Sequence, residues 1–123
     1  MAVGLYVGIW AEFLPHAFYT SFPGFGRHWI SDSGAWDEHL IRDVGSLYLA
    51  LTAISVAGII ARTATPGVMA GLAWTVFGVL HFGYHLTHLT GSATDIAGII
   101  ISLGISAILG VILVIAPPRP PRG

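Results

Sequence analysis

The chain has 123 residues, of which 54% are apolar and 9% charged, and it contains no cysteine. An ordinary soluble domain carries about 25% charged residues, so this composition argues against one. Five basic residues and a formal charge of -1 exclude the basic surface that nucleic-acid binding requires. Without cysteine there are no disulfides, iron–sulfur clusters or Cys-ligated zinc, and any metal would have histidine and carboxylate ligands.

Four apolar segments approach the roughly 20 residues that a helix needs to cross a bilayer. They lie at about 2–19, 44–61, 67–85 and 96–116, and the tail 117–123 is rich in proline and arginine. Short connections make neighbouring helices antiparallel. The pattern predicts an all-α fold: one transmembrane domain, an integral membrane four-helix bundle. The first segment has no basic start and contains Glu12, so we expect a retained helix, not a signal peptide.

The first two predicted helices are joined by residues 20–43, which we call the outer connection. Its aromatic density is typical of a membrane interface, where amphipathic rings lie at headgroup level. We expect it to form a lid or a short interfacial helix at the outer mouth of the bundle, which covers a ligand cavity or anchors the protein. Pro15 is expected to kink the first helix.

Arginines near the helix ends predict the orientation. Four spans place Arg62, Arg119 and Arg122 on one side, against Arg27 and Arg42 on the other. The sequence therefore predicts a bacterial inner-membrane protein in contact with the lipid bilayer, with both termini in the cytoplasm.

Small residues in rows indicate where helices approach each other closely. The fourth predicted helix carries such a row at every fourth position: Gly98, Ser102, Ser106 and Gly110. A second row, Ala53, Ala57 and Ala61, lies on the second helix. These rows predict packing within the bundle, or contacts between copies in a homo-oligomer or a larger membrane complex.

Ionisable residues concentrate in the predicted outer half. Imidazoles repeat along one face of the third helix, at His81, His85 and His88, and Glu12 and His16 are four residues apart on the first. Ionisable groups within a membrane usually face the bundle interior and mark functional sites. We therefore expect a site that holds copper, iron, zinc or a haem. Its predicted ligands are His81, His85, His16 and Glu12, supported by Asp43, Tyr84 and His88.

Structural roles compete with this hypothesis. His81 and His85 would also suit a hydrogen-bonded network across the bundle, and His28, His39 and His88 would suit interface packing. Helix capping is an equally simple role for Asp43 and Asp95.

Residues 36–51, WDEHLIRDVGSLYLAL, resemble a stretch of the small bacterial four-helix membrane proteins of the DoxX-like group. The first-helix proline, the long outer connection and the His-rich stretch HFGYH at 81–85 are similar as well. This resemblance implies the fold and no catalytic role. The chain also resembles the small multidrug resistance transporters, through Glu12 in the first helix and the loop GFGR at 24–27. That resemblance implies a dimer in which the glutamate binds a cation or a proton.

Three functions follow from these patterns. The first is metal or haem binding at an outward-facing site, within a membrane redox assembly. The second is small-molecule or proton-coupled transport with Glu12 as the titrating group, and the third is a structural or assembly role. The sequence contains neither a nucleotide-binding loop nor a Gly-x-Ser-x-Gly nucleophile motif, so enzyme status depends on the histidines alone.

Overall fold

The computed structural model describes residues 1–61 and 63–116, and this part of the chain folds into helices without a strand. The described residues form five helices: α1 (Ala2–Phe13), α2 (Pro15–Ser21), α3 (Glu38–Ile60), α4 (Ala64–Thr87) and α5 (Ala93–Ile115). The predicted all-α class is confirmed. Arg62 and the tail 117–123, which carry the predicted orientation, lie outside the described residues.

The first predicted helix is in fact two helices. Leu14 leaves the helical conformation, with φ −132° and ψ 53°, and α2 begins at Pro15. Proline has no N–H to donate to the carbonyl of Ala11, and its ring clashes with that carbonyl. The expected kink at Pro15 is therefore a break, and 2–19 is not one continuous helix.

Among the described residues, three helices are long and apolar enough to cross a membrane: α3, α4 and α5, with 23, 24 and 23 residues. At about 1.5 Å per residue, each exceeds the roughly 30 Å of a hydrocarbon core. In contrast, α1 has 12 residues and spans only about 18 Å. The predicted membrane character is thus supported by three helices, while a four-helix bundle is not shown.

All three long helices begin earlier than predicted, and for α3 and α4 the local sequence gives the reason. The Asp37 carboxylate accepts a hydrogen bond from the Leu40 N–H at 3.0 Å and caps α3 six residues before the expected start. Helix α4 includes Pro66 in its first turn, where a missing N–H costs no intrahelical bond.

The chain forms two compact units, Met1–Thr52 and Ala53–Gly123. In the first unit, α1 lies directly against α3. A Cβ on Gly45 would lie 2.5 Å from the Glu12 backbone nitrogen, and one on Gly8 would lie 2.9 Å from Leu49 Cγ. Only glycine permits so close an approach between helices. The buried core of this unit comprises Val7, Ala11, Phe18, Ile41, Tyr48 and Leu51.

In the second unit, α4 and α5 pack as an antiparallel pair. Their contacts run in opposite directions along the two helices: Gly71 with Leu113, Thr75 with Gly110, Gly78 with Ala107 and Phe82 with Gly104. Gly110, a member of the predicted packing row, thus lies in this interface. The hydroxyls of two other members, Ser102 and Ser106, donate to carbonyls of their own helix, those of Ile99 and Ser102.

The start of α5 is closed by a capping box. The Ser92 side chain accepts from the Asp95 N–H, and the Asp95 carboxylate accepts from the Ser92 N–H at 3.0 Å. The predicted capping role of Asp95 is confirmed. Asp43 has no such role, because α3 begins at Glu38, five residues before it.

Candidate functional site

Two of the predicted ligands lie side by side on α4. The ring centroids of His81 and His85 are 4.7 Å apart, with the rings nearly perpendicular. His81 also stacks on Phe77, with centroids 5.1 Å apart. Both imidazoles are half-buried. The spacing of four residues therefore presents two imidazoles on one face of a helix that is long enough to cross a membrane.

Tyr84 and His88 lie one step further along the same helix. Their rings stack with centroids 4.1 Å apart, and the Tyr84 ring meets His85 edge-on at 5.6 Å. The Nδ1 atom of His88 is 2.9 Å from the Thr87 hydroxyl and 3.0 Å from the Tyr84 carbonyl. The Nδ1 atom of His88 thus contacts polar groups at the end of its own helix, and the ring of His88 stacks on that of Tyr84.

The part of the chain that the structure describes holds no group of three or more His, Asp or Glu side chains that could bind a metal ion. The His81–His85 pair by itself offers two nitrogen donors, whereas a catalytic zinc site uses three protein ligands and a structural site four. The pair therefore supplies two of the three or four protein ligands of such a zinc site.

Glu12 and Arg42 form a polar contact in the first unit. The Arg42 guanidinium lies 4.0 Å from Glu12 Oε1, and its Nη1 atom donates to the Glu12 backbone carbonyl. Its Nε atom donates to Glu38 at 2.9 Å. The second carboxylate oxygen of Glu12, Oε2, is buried and has no hydrogen-bond partner in the described residues. The side chain of Glu12 as a whole keeps 27% of its surface exposed.

The local sequence explains why these two residues meet. The break at Leu14 leaves the Glu12 carbonyl without the N–H of His16 that a continuous helix would supply. Arg42 supplies the missing donor and places a positive charge at the negative end of the α1 dipole. Gly45, one turn further along α3, lets the α1 backbone come within reach. Sequence reasoning missed Arg42 as a partner of Glu12, although the neighbouring Pro15 is a recognisable helix-end signal.

His16 has a different environment from Glu12. The two residues lie in different helices, and the exposed His16 ring meets Trp36 edge-on, with centroids 5.3 Å apart. The expectation that Glu12 and His16 share one face of a continuous helix is wrong, because the helix ends between them.

Asp43 lies beside His39, with 3.4 Å between Oδ2 and Nε2, and both side chains are largely exposed. An exposed pair four residues apart contributes little to stability, about 0–1 kcal/mol. The histidine that Asp43 contacts is thus His39, an exposed residue of the same helix.

Residues 22–37 of the outer connection form successive turns and contain no interfacial helix. They fold back on α1 and α2 through aromatic contacts and through two tyrosine hydroxyls, which donate to the carbonyls of Pro23 (from Tyr6) and Gly34 (from Tyr19). The rings in contact form an aromatic cluster of Tyr6, Trp10, Phe18, Phe22 and Trp29. The expected aromatic segment is therefore present, as a folded part of the first unit.

Comparison of the chain with known protein families, with curated proteins and with solved structures finds no match in any of the three. The resemblances to the DoxX-like group and to the small multidrug resistance transporters therefore stay predictions.

Proposed function

We propose that the chain is a bacterial inner-membrane protein that binds a transition-metal ion through His81 and His85, on the outer side of the membrane. The observation that carries this proposal is the imidazole pair on α4, with ring centroids 4.7 Å apart. No hydrogen bond occupies these ring nitrogens among the described residues of the second unit. A polar ring without a hydrogen-bond partner is costly at membrane depth, and ionisable residues there usually mark functional sites.

Imidazole nitrogens suit zinc, copper and iron. A metal bound by two histidines of one helix keeps further coordination positions for water or for other donors. A haem with two axial histidines needs one on each face of the macrocycle, and the short separation of these rings leaves no room for a porphyrin between them. The pair therefore favours a metal ion over a bis-histidine haem.

Metal titration in mild detergent tests this proposal. The probes are Zn²⁺ and Cu²⁺, measured by calorimetry and by metal content after dialysis. His81→Ala and His85→Ala should each weaken binding by at least about 10-fold, since even residues that only support metal ligands contribute 10–100-fold. His39→Ala is the matched control, because His39 lies on α3, away from the pair on α4, and its ring contacts Asp43 of the same helix. Equal affinity in all four proteins, or no binding by the unaltered chain, would refute the proposal.

The second candidate is proton-coupled transport at Glu12. It is favoured by the buried Oε2 atom, which has no hydrogen-bond partner in the described residues, because a buried polar oxygen without a partner is costly until a ligand contacts it. The test uses proteoliposomes that contain a pH-sensitive dye and a lipophilic quaternary ammonium ion as the probe. Glu12→Gln should abolish probe-driven proton release. Glu38→Gln, which changes the other carboxylate on Arg42, should retain it.

The four-span bundle with cytoplasmic termini and the homo-oligomer or membrane complex are further proposals. Exposed apolar side chains along α5 support contacts with lipid or with other copies: Ile101, Ile105, Ile108, Leu109 and Ile112. Light scattering of the detergent-solubilised protein measures the number of copies. A monomer at every concentration would contradict the oligomer.

A further inference from the structure

The turn at residues 22–27 presents a phenylalanine in an unusual way. The ring of Phe25 is 98% exposed, although Phe22 of the same turn joins the aromatic cluster. Three successive residues have positive φ angles: Gly24 at 99°, Phe25 at 58° and Gly26 at 73°. Glycine adopts such angles without penalty, whereas a bulky residue there is an outlier.

The turn is held firmly on the first unit. The Gly24 N–H donates to the Ser21 carbonyl at 2.6 Å, and the Trp29 N–H donates to the Phe22 carbonyl at 2.9 Å. The Tyr6 hydroxyl donates to the Pro23 carbonyl at 2.8 Å. These bonds fix the base of the turn, and the exposed ring of Phe25 lies at its tip.

Strain together with exposure points to an apolar environment for this side chain. The left-handed backbone of Phe25 is unfavourable in any solvent, and its exposed aromatic ring is unfavourable in water. Asn, Asp or Gly would be less unfavourable at this position. Insertion of the ring into an apolar phase removes the cost of exposure, and the free energy gained by burial offsets the backbone strain.

We infer that the tip of this turn, Phe25, inserts into the boundary between the headgroups and the acyl chains of the bilayer. A lipid surface is the favoured occupant because the turn lies in the connection that leads into α3, one of the three helices suited to crossing a membrane. Aromatic rings at such positions are typical of the membrane interface. The inference rests on the proposed placement of α3, α4 and α5 in a bilayer.

Single-cysteine labelling tests the inference, because the chain has no cysteine of its own. Phe25→Cys, Gly34→Cys and Ile105→Cys are each labelled with the environment-sensitive dye NBD and reconstituted in phosphatidylcholine–phosphatidylglycerol vesicles. Gly34 is an exposed residue of the same connection with open space around it, and Ile105 is an exposed residue of α5. The emission of the dye at position 25 should be blue-shifted, and lipids that carry a doxyl group near the glycerol should quench it more strongly than lipids labelled near the acyl end. The dye at position 34 should show neither effect.

Labels at these three positions distinguish failure of the inference from failure of the membrane placement on which it rests. A water-like signal at position 25 beside a lipid signal at position 105 would overturn the inference and leave the membrane placement intact. Water-like signals at both positions would refute the membrane placement itself. A blue-shifted signal at position 25 that doxyl lipids do not quench would indicate a protein surface as the occupant, and would also overturn the inference.

Discussion

The side chain with the most consequential contacts in the first unit is Arg42. It donates to the free carbonyl at the end of α1 and to Glu38, and it lies beside the Glu12 carboxylate. Without Arg42, Glu12 would keep a partly buried negative charge and the α1 carbonyl would lose its donor. An uncompensated charge of this kind is costly in an apolar environment.

We expect Arg42→Gln to destabilise the protein by about 1.5–3 kcal/mol, the usual range for hydrogen bonds to charged groups. Chemical denaturation in a fixed detergent measures this change. Asp43→Asn is the control, because its exposed pairing with His39 contributes at most about 1 kcal/mol. If the two variants lose equal stability, Arg42 is not a structural link between α1 and α3.

Phe25 provides a second test at the scale of one residue. Asn tolerates the left-handed conformation that Phe25 adopts at φ 58°. The detergent, like the bilayer, offers the ring an apolar phase, and burial of the ring there is worth about 1.5–3 kcal/mol, against about 1 kcal/mol of relieved strain. Phe25→Asn should therefore lower stability in detergent by about 0.5–2 kcal/mol. Thermal unfolding followed by circular dichroism measures the change. A stability above that of the unaltered protein would show that the ring makes no stabilising contacts in detergent.

At the scale of the helices, glycine placement decides which faces meet. A Cβ on Gly45 would lie 2.5 Å from the Glu12 nitrogen and 2.9 Å from its Cα, so the α1 backbone would have to move. Gly45→Ala should therefore cost about 1–3 kcal/mol, as overpacking typically does.

Gly83→Ala is the matched control, and the expected change has the opposite sign. Gly83 is also a helical glycine, but a Cβ added there would have no neighbouring atom within 4 Å. Alanine at this position should stabilise the protein by up to about 1 kcal/mol through its higher helix propensity. Chemical denaturation of both variants in one detergent measures the pair. Two changes of the same sign would contradict a close contact between α1 and α3 at Gly45.

Periodicity in the sequence is enough to predict the three long helices and the shared face of His81 and His85, because both depend on local spacing along one helix. The break at Leu14 is predicted only as a kink, since the consequence of a proline depends on whether other groups satisfy the freed carbonyls. Here Arg42 satisfies one of them, the Glu12 carbonyl, from 30 residues further along the chain. A contact between distant segments leaves no periodic signal, and for the same reason the sequence does not predict the turns that fold the outer connection onto α1 and α2.

For the whole molecule, the three long helices predict on which side of the membrane each connection lies. If α3, α4 and α5 all cross, residue 34 and residue 90 are on one side and residue 63 is on the other. The arginine distribution predicts that residue 63 lies in the cytoplasm, because positively charged residues are retained there. This orientation does not depend on α1, which is too short to cross alone.

Labelling with a membrane-impermeant maleimide measures this topology in intact bacterial spheroplasts. Gly34→Cys and Thr90→Cys should react from outside, whereas Thr63→Cys should react only after the membrane is permeabilised. The native chain is an unlabelled background, because it has no cysteine. Reaction of Thr63→Cys alone in intact spheroplasts would reverse the orientation and would place the His81–His85 end of α4 in the cytoplasm. Reaction of all three in intact spheroplasts would contradict three crossings, because α3 and α4 each separate residue 63 from one of the other two positions.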